Sequence, residues 1–536
     1  MKLDLVIRDG MVADGLGTSM RRADVAVRGD RIVAVGDVPA TGALELQADG
    51  AVVAPGFINV LSQAYESLQR DPRGLSDLYQ GVTTEVFGEG YSMGPVEGRM
   101  LSTTRVDDDR FGVRHNWRRI NDFLDHLAGS GVALNVASFV GADNLRMAYA
   151  GEDDRPLSAD ELAAACQLLD EELAAGALGL GSALIYAPGS YASTDELTAF
   201  ARIVAQHDAL YISHVRNEAD QLLDSIGELI QIATTTGARA EVYHLKAAGR
   251  ANWPAMHSAI AMLERARADR TVVSADIYPY EAGATALDAC IPPEFHAGGP
   301  EALRERLRDE SVRASVKALL SAPSVDWENV YLGSGGPDGI LLLGGLTSGY
   351  NGRTLAGVAA DRGDADPIDT LLDLVIEDPE MIAAYFEMTE DNVRLALKSP
   401  WVSVCSDSEA WAAEPPYNEV PTHPRAYGSF ARVLGSYVRE GLLSVEEAVR
   451  RMTSLPASNL RLEDRGTIGV GAFADLAIFD PDLVADVATY AAPHQYATGM
   501  RHVVVNGVVA MRDGEPTGAF AGRALRRAGA HDRGSS

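Results

Sequence analysis

The chain has 536 residues, 46% of them hydrophobic, and a formal net charge of −30 at pH 7. That length exceeds one ordinary domain and suits a barrel of about 250–400 residues with a smaller companion. The acidic excess argues against nucleic-acid partners and anionic membranes, which such a surface repels, and no run approaches the roughly 18 apolar residues of a membrane span.

From the N-terminus, residues 3–8, 24–28 and 31–35 alternate apolar and polar side chains around Gly-Asp and Asp-Gly turn signals, which predicts β-hairpins. The pattern returns at residues 474–479, 502–506 and 508–512, with Gly507 as a turn. A small β-sandwich assembled from both termini, residues 1–54 and 461–536, accounts for the split. Between them the rhythm changes. Eight β-branched and apolar runs, at 51–61, 82–88, 133–141, 178–186, 209–216, 240–246, 271–278 and 401–406, read as strands. Helical stretches fall between them, notably at 158–175, 193–207, 218–236 and 253–268. This alternation predicts an α/β fold, a (β/α)8 TIM-type barrel over residues 55–460. The spacing breaks between Tyr280 and Pro400, where the excess marks a lid-like insertion at about 285–350. The chain after Arg523 is polar and reads as a frayed tail. Three cysteines in so long a chain make no disulfide framework, and residues 1–9 lack the apolar stretch of a signal peptide, so the expected compartment is the cytoplasm.

Two of the runs reach a histidine near their ends, in Ala209-Leu-Tyr-Ile-Ser-His214 and Ala240-Glu-Val-Tyr-His244. C-terminal strand ends form the active-site face of such a barrel, so adjacent strands can bring His214 and His244 to one metal. Imidazole nitrogens suit Zn²⁺, and a catalytic zinc keeps one position open for water. The third ligand should be an anion. Glu85 and Glu89 share a strand face, but four residues at about 3.3 Å each separate them by roughly 13 Å, so only one lies at the mouth. Glu89, between Gly88 and Gly90, is that one. Glu85 falls to the barrel interior as the partner of an arginine, or to the other end of the strand. Asp407, in Cys405-Ser406-Asp407, fits the base that takes a proton from acidified water and then returns it to a leaving amine. Cys290 and Cys405 read as buried small hydrophobes.

These residues sit in an ordered set: Pro55-Gly-Phe-Ile58, Gly81-Val-Thr-Thr84, Ser213-His-Val-Arg216, His244-Leu-Lys246, Asp276-Ile-Tyr-Pro-Tyr280, Ser406-Asp407 and His423-Pro-Arg425. The set resembles the amidohydrolase superfamily, and within it the N-acyl-D-amino-acid deacylase (D-aminoacylase) group. Residues 466–480 are similar to that superfamily's returning β-domain. The resemblance implies a metal-dependent amidase acting beside a substrate carboxylate, which Lys246, Arg425, Tyr186 and Tyr278 would hold and orient.

The chain also departs from the group. Where the group has His-x-His, this sequence reads Leu61-Ser-Gln63, so two metal ligands are missing. Where it has Gly-Asn-Cys-Gly, this sequence reads Gly88-Glu89-Gly90; one deletion puts Glu89 on the metal-binding Cys, and without it Gly90 falls there. A Glu-His-His site lacking His-x-His resembles the N-acetylglucosamine-6-phosphate deacetylases of the same superfamily, which implies about one zinc per chain on Glu89, His214 and His244. The pattern Tyr-Pro-Tyr-Thr-Ala-Gly-Ser becomes Tyr278-Pro-Tyr-Glu-Ala-Gly-Ala284, losing a hydroxyl and gaining an acid. Two other readings stay open: hydrolysis of a cyclic amide, lactone or D-residue peptide, and a degenerate barrel that binds a small molecule without turnover. The sequence also leaves room for a homo-oligomer.

Overall fold

The computed structural model describes residues 3–102, 115–324, 326–345 and 349–529. Its centre is a run of parallel strands. Phe57–Asn59, Val82–Phe87 and Asn135–Ser138 pair in parallel, in that order. Val140–Gly141, Gly179–Ala183, Leu210–His214, Arg239–Val242, Val273–Ile277 and Val402–Val404 form a second parallel sheet, also in chain order. Only Phe139 separates Asn135–Ser138 from Val140–Gly141, so one sheet runs on into the other. Apart from Arg239 every residue in these segments is buried, as expected of parallel strands covered on both faces.

Helices return the chain between strands, and their starts follow from local chemistry. The Ser158 hydroxyl accepts from the Glu161 N–H ahead of helix Ala159–Ala175, and Ser193 does the same with Glu196 ahead of Thr194–Gln206. The stretch expected to be helical from residue 218 starts later, at Leu222. Asn217 holds the preceding loop instead, its Oδ1 accepting the N–H groups of Ala219 and Gln221. Residue 218 is thereby released to the mouth of the strands.

The two chain ends meet in one nine-stranded sheet. Leu476–Phe479 lies antiparallel to Val52–Pro55 and so joins the C-terminal strands to the N-terminal ones. A single apolar cluster draws on both, including Val25, Val53, Leu476 and Val504. The expected frayed tail is corrected over its first part. Ala524 bridges Val136, Leu525 is buried in the main core, and Arg527 Nη2 donates to the Leu173 carbonyl. Residues 530–536 of that tail lie outside the described residues.

Between Val273–Ile277 and Val402–Val404 the chain builds a four-stranded antiparallel sheet from Gly283–Ala286, Ile340–Gly344, Arg353–Thr354 and Ile382–Tyr385. Helices such as Glu310–Leu320 and Pro367–Glu377 pack on it around a separate apolar core containing Leu320, Leu342, Leu371 and Tyr385. Among the described residues, no helix is long and apolar enough to cross a membrane.

Candidate metal centre

All eight residues singled out by the sequence line one cavity of about 370 Å³. Each sits at or just past the C-terminal end of a parallel strand, except Arg425, which opens helix Arg425–Arg432. Glu89 follows Val82–Phe87 after Gly88, whose φ of 108° and closeness to the Phe139 carbonyl leave no room for a Cβ. His214 ends Leu210–His214, and His244 comes two residues after Arg239–Val242.

Glu89 Oε1 lies 3.1 Å from His214 Nδ1 and 3.0 Å from His244 Nε2. The three groups place one ligand atom each within 4.8 Å of one another. The donor set is one carboxylate oxygen from half-buried Glu89 and two buried imidazole nitrogens, drawn from three strands, which is the composition a zinc ion takes. The residues fit such an ion. Burial would raise the Glu89 pKa, but the hydrogen bonds from His214 and His244 outweigh it and hold the carboxyl well below its usual range.

Two backbone conformations mark the same place. His244 and Asp407 have φ of 33° and 49°, a region that costs energy for residues with a side chain. Both are fixed by hydrogen bonds. The His244 N–H donates to Asp276 Oδ1 at 2.7 Å, and the Asp407 N–H donates to the Leu61 carbonyl at 2.9 Å. Backbone strain held in this way turns both side chains toward the cavity.

Four groups escaped the sequence reading. Glu218, four residues after His214, is the most consequential. Its carboxylate lies 3.3 Å from His214 Nε2 and 3.2 Å from His244 Nδ1, on the sides of the rings away from Glu89. It also accepts from Lys246 Nζ at 2.6 Å. Burial opposes its charge, yet Lys246 and the two imidazoles keep it well below the ordinary glutamate range. The signal was present: an acid in the loop after a strand-end histidine belongs to the same face.

Gln63 is the second, standing where the resembled group has its second histidine. Its Nε2 donates to Glu89 Oε2 at 2.7 Å and to Asp407 Oδ1 at 3.3 Å. The others are Glu328 and Glu387, contributed by the chain between the last two parallel strands. Burial pushes them up to about 7 and about 8. No sequence period announces them.

Asp407 pairs with Arg425, Nη1 to Oδ2 at 2.9 Å, and the guanidinium lies 4.5 Å from the centre of the Tyr278 ring. Burial raises the Asp407 pKa, Arg425 opposes, and Glu89 adds to the rise; the net shift is upward. Burial also lifts Tyr186 and Tyr278, so both phenols keep their protons. Among the described residues Glu85 takes no arginine partner. Instead Asn59 Nδ2 donates to it at 2.9 Å and the Asp77 carboxyl lies beside it. Cys290 and Cys405 are fully buried, as expected.

The amidohydrolase family profile matches residues 365–511. Across nearly the whole molecule the chain is 35% identical to the N-acyl-D-glutamate deacylase of Alcaligenes xylosoxydans xylosoxydans, over 98% of this chain and 97% of that one. The crystal structure of N-acyl-D-glutamate deacylase from Bordetella bronchiseptica, complexed with zinc and a phosphonate mimic of the tetrahedral intermediate, is 32% identical with a TM-score of 0.81. It covers 98% of this chain and 100% of that one. A D-aminoacylase structure described for one-metal activation and second-metal attenuation matches with the same identity, coverage and TM-score.

Proposed function

The chain belongs to the amidohydrolase family, in the group of the D-aminoacylases and N-acyl-D-amino-acid deacylases, and from that premise we propose that it hydrolyses the amide of N-acyl-D-amino acids. The observation that carries this reading is the convergence of Glu89, His214 and His244 in one cavity with Asp407, Arg425 and Lys246.

In this reading Glu89, His214 and His244 hold a zinc ion. Bound there, zinc would supply Lewis acidity at the scissile carbonyl and acidify water. Glu218 faces the outer ring nitrogens of both imidazoles and fixes which way they turn. Arg425 offers its planar fork to the substrate carboxylate, and Lys246 brings a second positive charge to the same cavity. Tyr186 and Tyr278, held protonated, donate to substrate oxygens and orient the amide. Asp407 takes the proton from the attacking water on its carboxylate and delivers it to the leaving amine nitrogen; its raised basicity suits that task.

We read the centre as holding one metal. Gln63 is a neutral amide whose N–H already bridges Glu89 and Asp407, so it offers a hydrogen-bond donor to the two acids in place of a second cation. The eight parallel strands we read as a closed (β/α)8 barrel. Support comes from the bonds of Asp407 and Gln63, which tie the segment after Val402–Val404 to the one after Phe57–Asn59. The nine-stranded sheet, with its one shared cluster, supports the β-sandwich reading for residues 1–54 and 461–536, and the separate core between the last two parallel strands supports an insertion. The three free cysteines fit a reducing compartment such as the cytoplasm.

The test is metal content together with turnover. We expect about one zinc per chain, hydrolysis of N-acetyl-D-leucine, and no loss of rate when zinc is added in excess. His214→Ala should lose metal and activity together, while Asp407→Asn should keep its zinc and lose at least a hundredfold in kcat. A folded, zinc-loaded protein that hydrolyses no N-acyl-D-amino acid refutes the reading.

A further inference from the structure

Building on the N-acyl-D-amino-acid reading, we propose that this site selects substrates with an uncharged apolar side chain and rejects those carrying a second carboxylate. Identity to a D-glutamate deacylase would suggest the opposite. The charges lining the cavity decide the matter.

Lys246 and Arg425 are the lysine and the arginine among the lining residues. Lys246 is already committed, its ammonium 2.6 Å from Glu218. Arg425 lies 2.9 Å from Asp407 through Nη1 and donates to the Ala284 carbonyl through Nη2, but retains unused capacity, since its buried Nε and Nη1 have no hydrogen-bond acceptor. That leaves one guanidinium for one carboxylate, the α-carboxylate that every substrate of this class carries. His423 adds no charge: burial and the neighbouring Arg425 keep the imidazole neutral, and its Nδ1 accepts the Arg425 N–H.

The rest of the described lining adds acids, apolar groups and neutral polar groups such as Gln63, Thr285 and Thr422, but no further lysine or arginine. Glu328 and Glu387 reach in from the chain between the last two parallel strands, and Glu387 Oε2 is buried without a partner. Asp143 and Glu409 lie on the opposite lining, and Asp143 Oδ1 likewise has no partner. A second substrate carboxylate placed among these groups would meet acids and neutral hydroxyls and, among the described residues, no uncommitted cation, and a buried charge without a counter-ion is strongly disfavoured. Between the acids the same segment presents Ala284, Val330, Leu343 and Ile382. Ala284, Leu343 and Ile382 belong to one small apolar cluster, which makes a continuous wall for an aliphatic side chain.

The experiment compares kcat/KM of the zinc-loaded full-length protein on N-acetyl-D-leucine, N-acetyl-D-methionine, N-acetyl-D-glutamate and N-acetyl-D-aspartate. We expect the two apolar substrates to exceed the two acidic ones by about 100-fold or more, the scale on which unpaired polar groups discriminate. A second arm uses Ile382→Arg, in the apolar wall and outside the metal and proton-transfer groups. It should narrow that ratio at least tenfold by raising the glutamate rate and lowering the leucine rate. Acidic substrates hydrolysed within tenfold of the apolar ones by the unaltered protein overturn the specificity and leave the deacylase reading standing. No turnover of any of the four overturns both.

Discussion

Glu89, His214 and His244 could be picked out of the sequence because each residue type is rare on an apolar strand and each stands where a parallel strand ends. Glu218 and Gln63 were harder to pick out, because neither sits on a strand and Glu218 shows itself only as an acid in the loop after a strand-end histidine. What they do there is read from distances. Glu218 contacts both imidazoles on the sides away from Glu89 and holds the Lys246 ammonium, so one carboxylate steadies three groups of the site. Replacing it by an amide removes the anion that faces the outer nitrogen of each imidazole in the proposed zinc site. Glu218→Gln is expected to weaken zinc binding by about 10–100-fold. The change should also raise KM, because Lys246 loses its ion pair and its position. Competition with a chromophoric chelator measures the first effect and steady-state kinetics the second. Unchanged zinc affinity would show that the imidazoles orient themselves without it.

At the level of elements, the eight parallel strands were legible because β-branched runs alternate with helical stretches, two of them capped by Ser158 and Ser193 where the sequence offers a cap. What an individual strand buries was less legible. Glu85, in the middle of Val82–Phe87, reads as the partner of an arginine but lies against another acid, Asp77, with Asn59 donating to it. Burial pushes the Glu85 carboxyl up to about 8 from an ordinary value of 4.5. The native protein therefore keeps a proton there that the unfolded chain releases earlier. With the folded value raised, stability from this proton is complete below about pH 4.5 and is lost as pH rises toward 8. The expected cost between those limits is on the order of a few kcal/mol. Glu85→Gln keeps an acceptor for Asn59 and offers an N–H to Asp77 without the titration. Thermal midpoints recorded from pH 5 to pH 8.5 should fall more steeply for the unaltered protein than for Glu85→Gln; parallel curves would remove the buried proton from the account.

For the whole molecule, chain order told more about the parallel strands than about the segment before the last of them. Parallel strands announce themselves by regular spacing with helices, whereas the antiparallel strands between Gly283 and Tyr385 are only two to five residues long and pair across distant stretches of chain. That segment nevertheless carries its own apolar core, while its inner wall and two glutamates line the same cavity as the metal-centre residues. The proposed metal site and side-chain pocket thus belong to different parts of the chain, and the two should be separable by mutation. Leu371, fully buried in helix Pro367–Glu377, is far in sequence from every proposed ligand and belongs to the second core. Leu371→Ala should cost about 2–5 kcal/mol locally, the usual range for a buried leucine. Because Leu342 and Ala383 of that core share strands with Leu343 and Ile382 of the proposed substrate wall, KM for N-acetyl-D-leucine should rise severalfold and the preference over N-acetyl-D-glutamate should shrink. Zinc content should stay at its unaltered value, since Glu89, His214 and His244 are held by the parallel strands. Loss of zinc in Leu371→Ala, measured on folded protein, would mean that the two cores act as one and that the segment helps to build the metal centre itself.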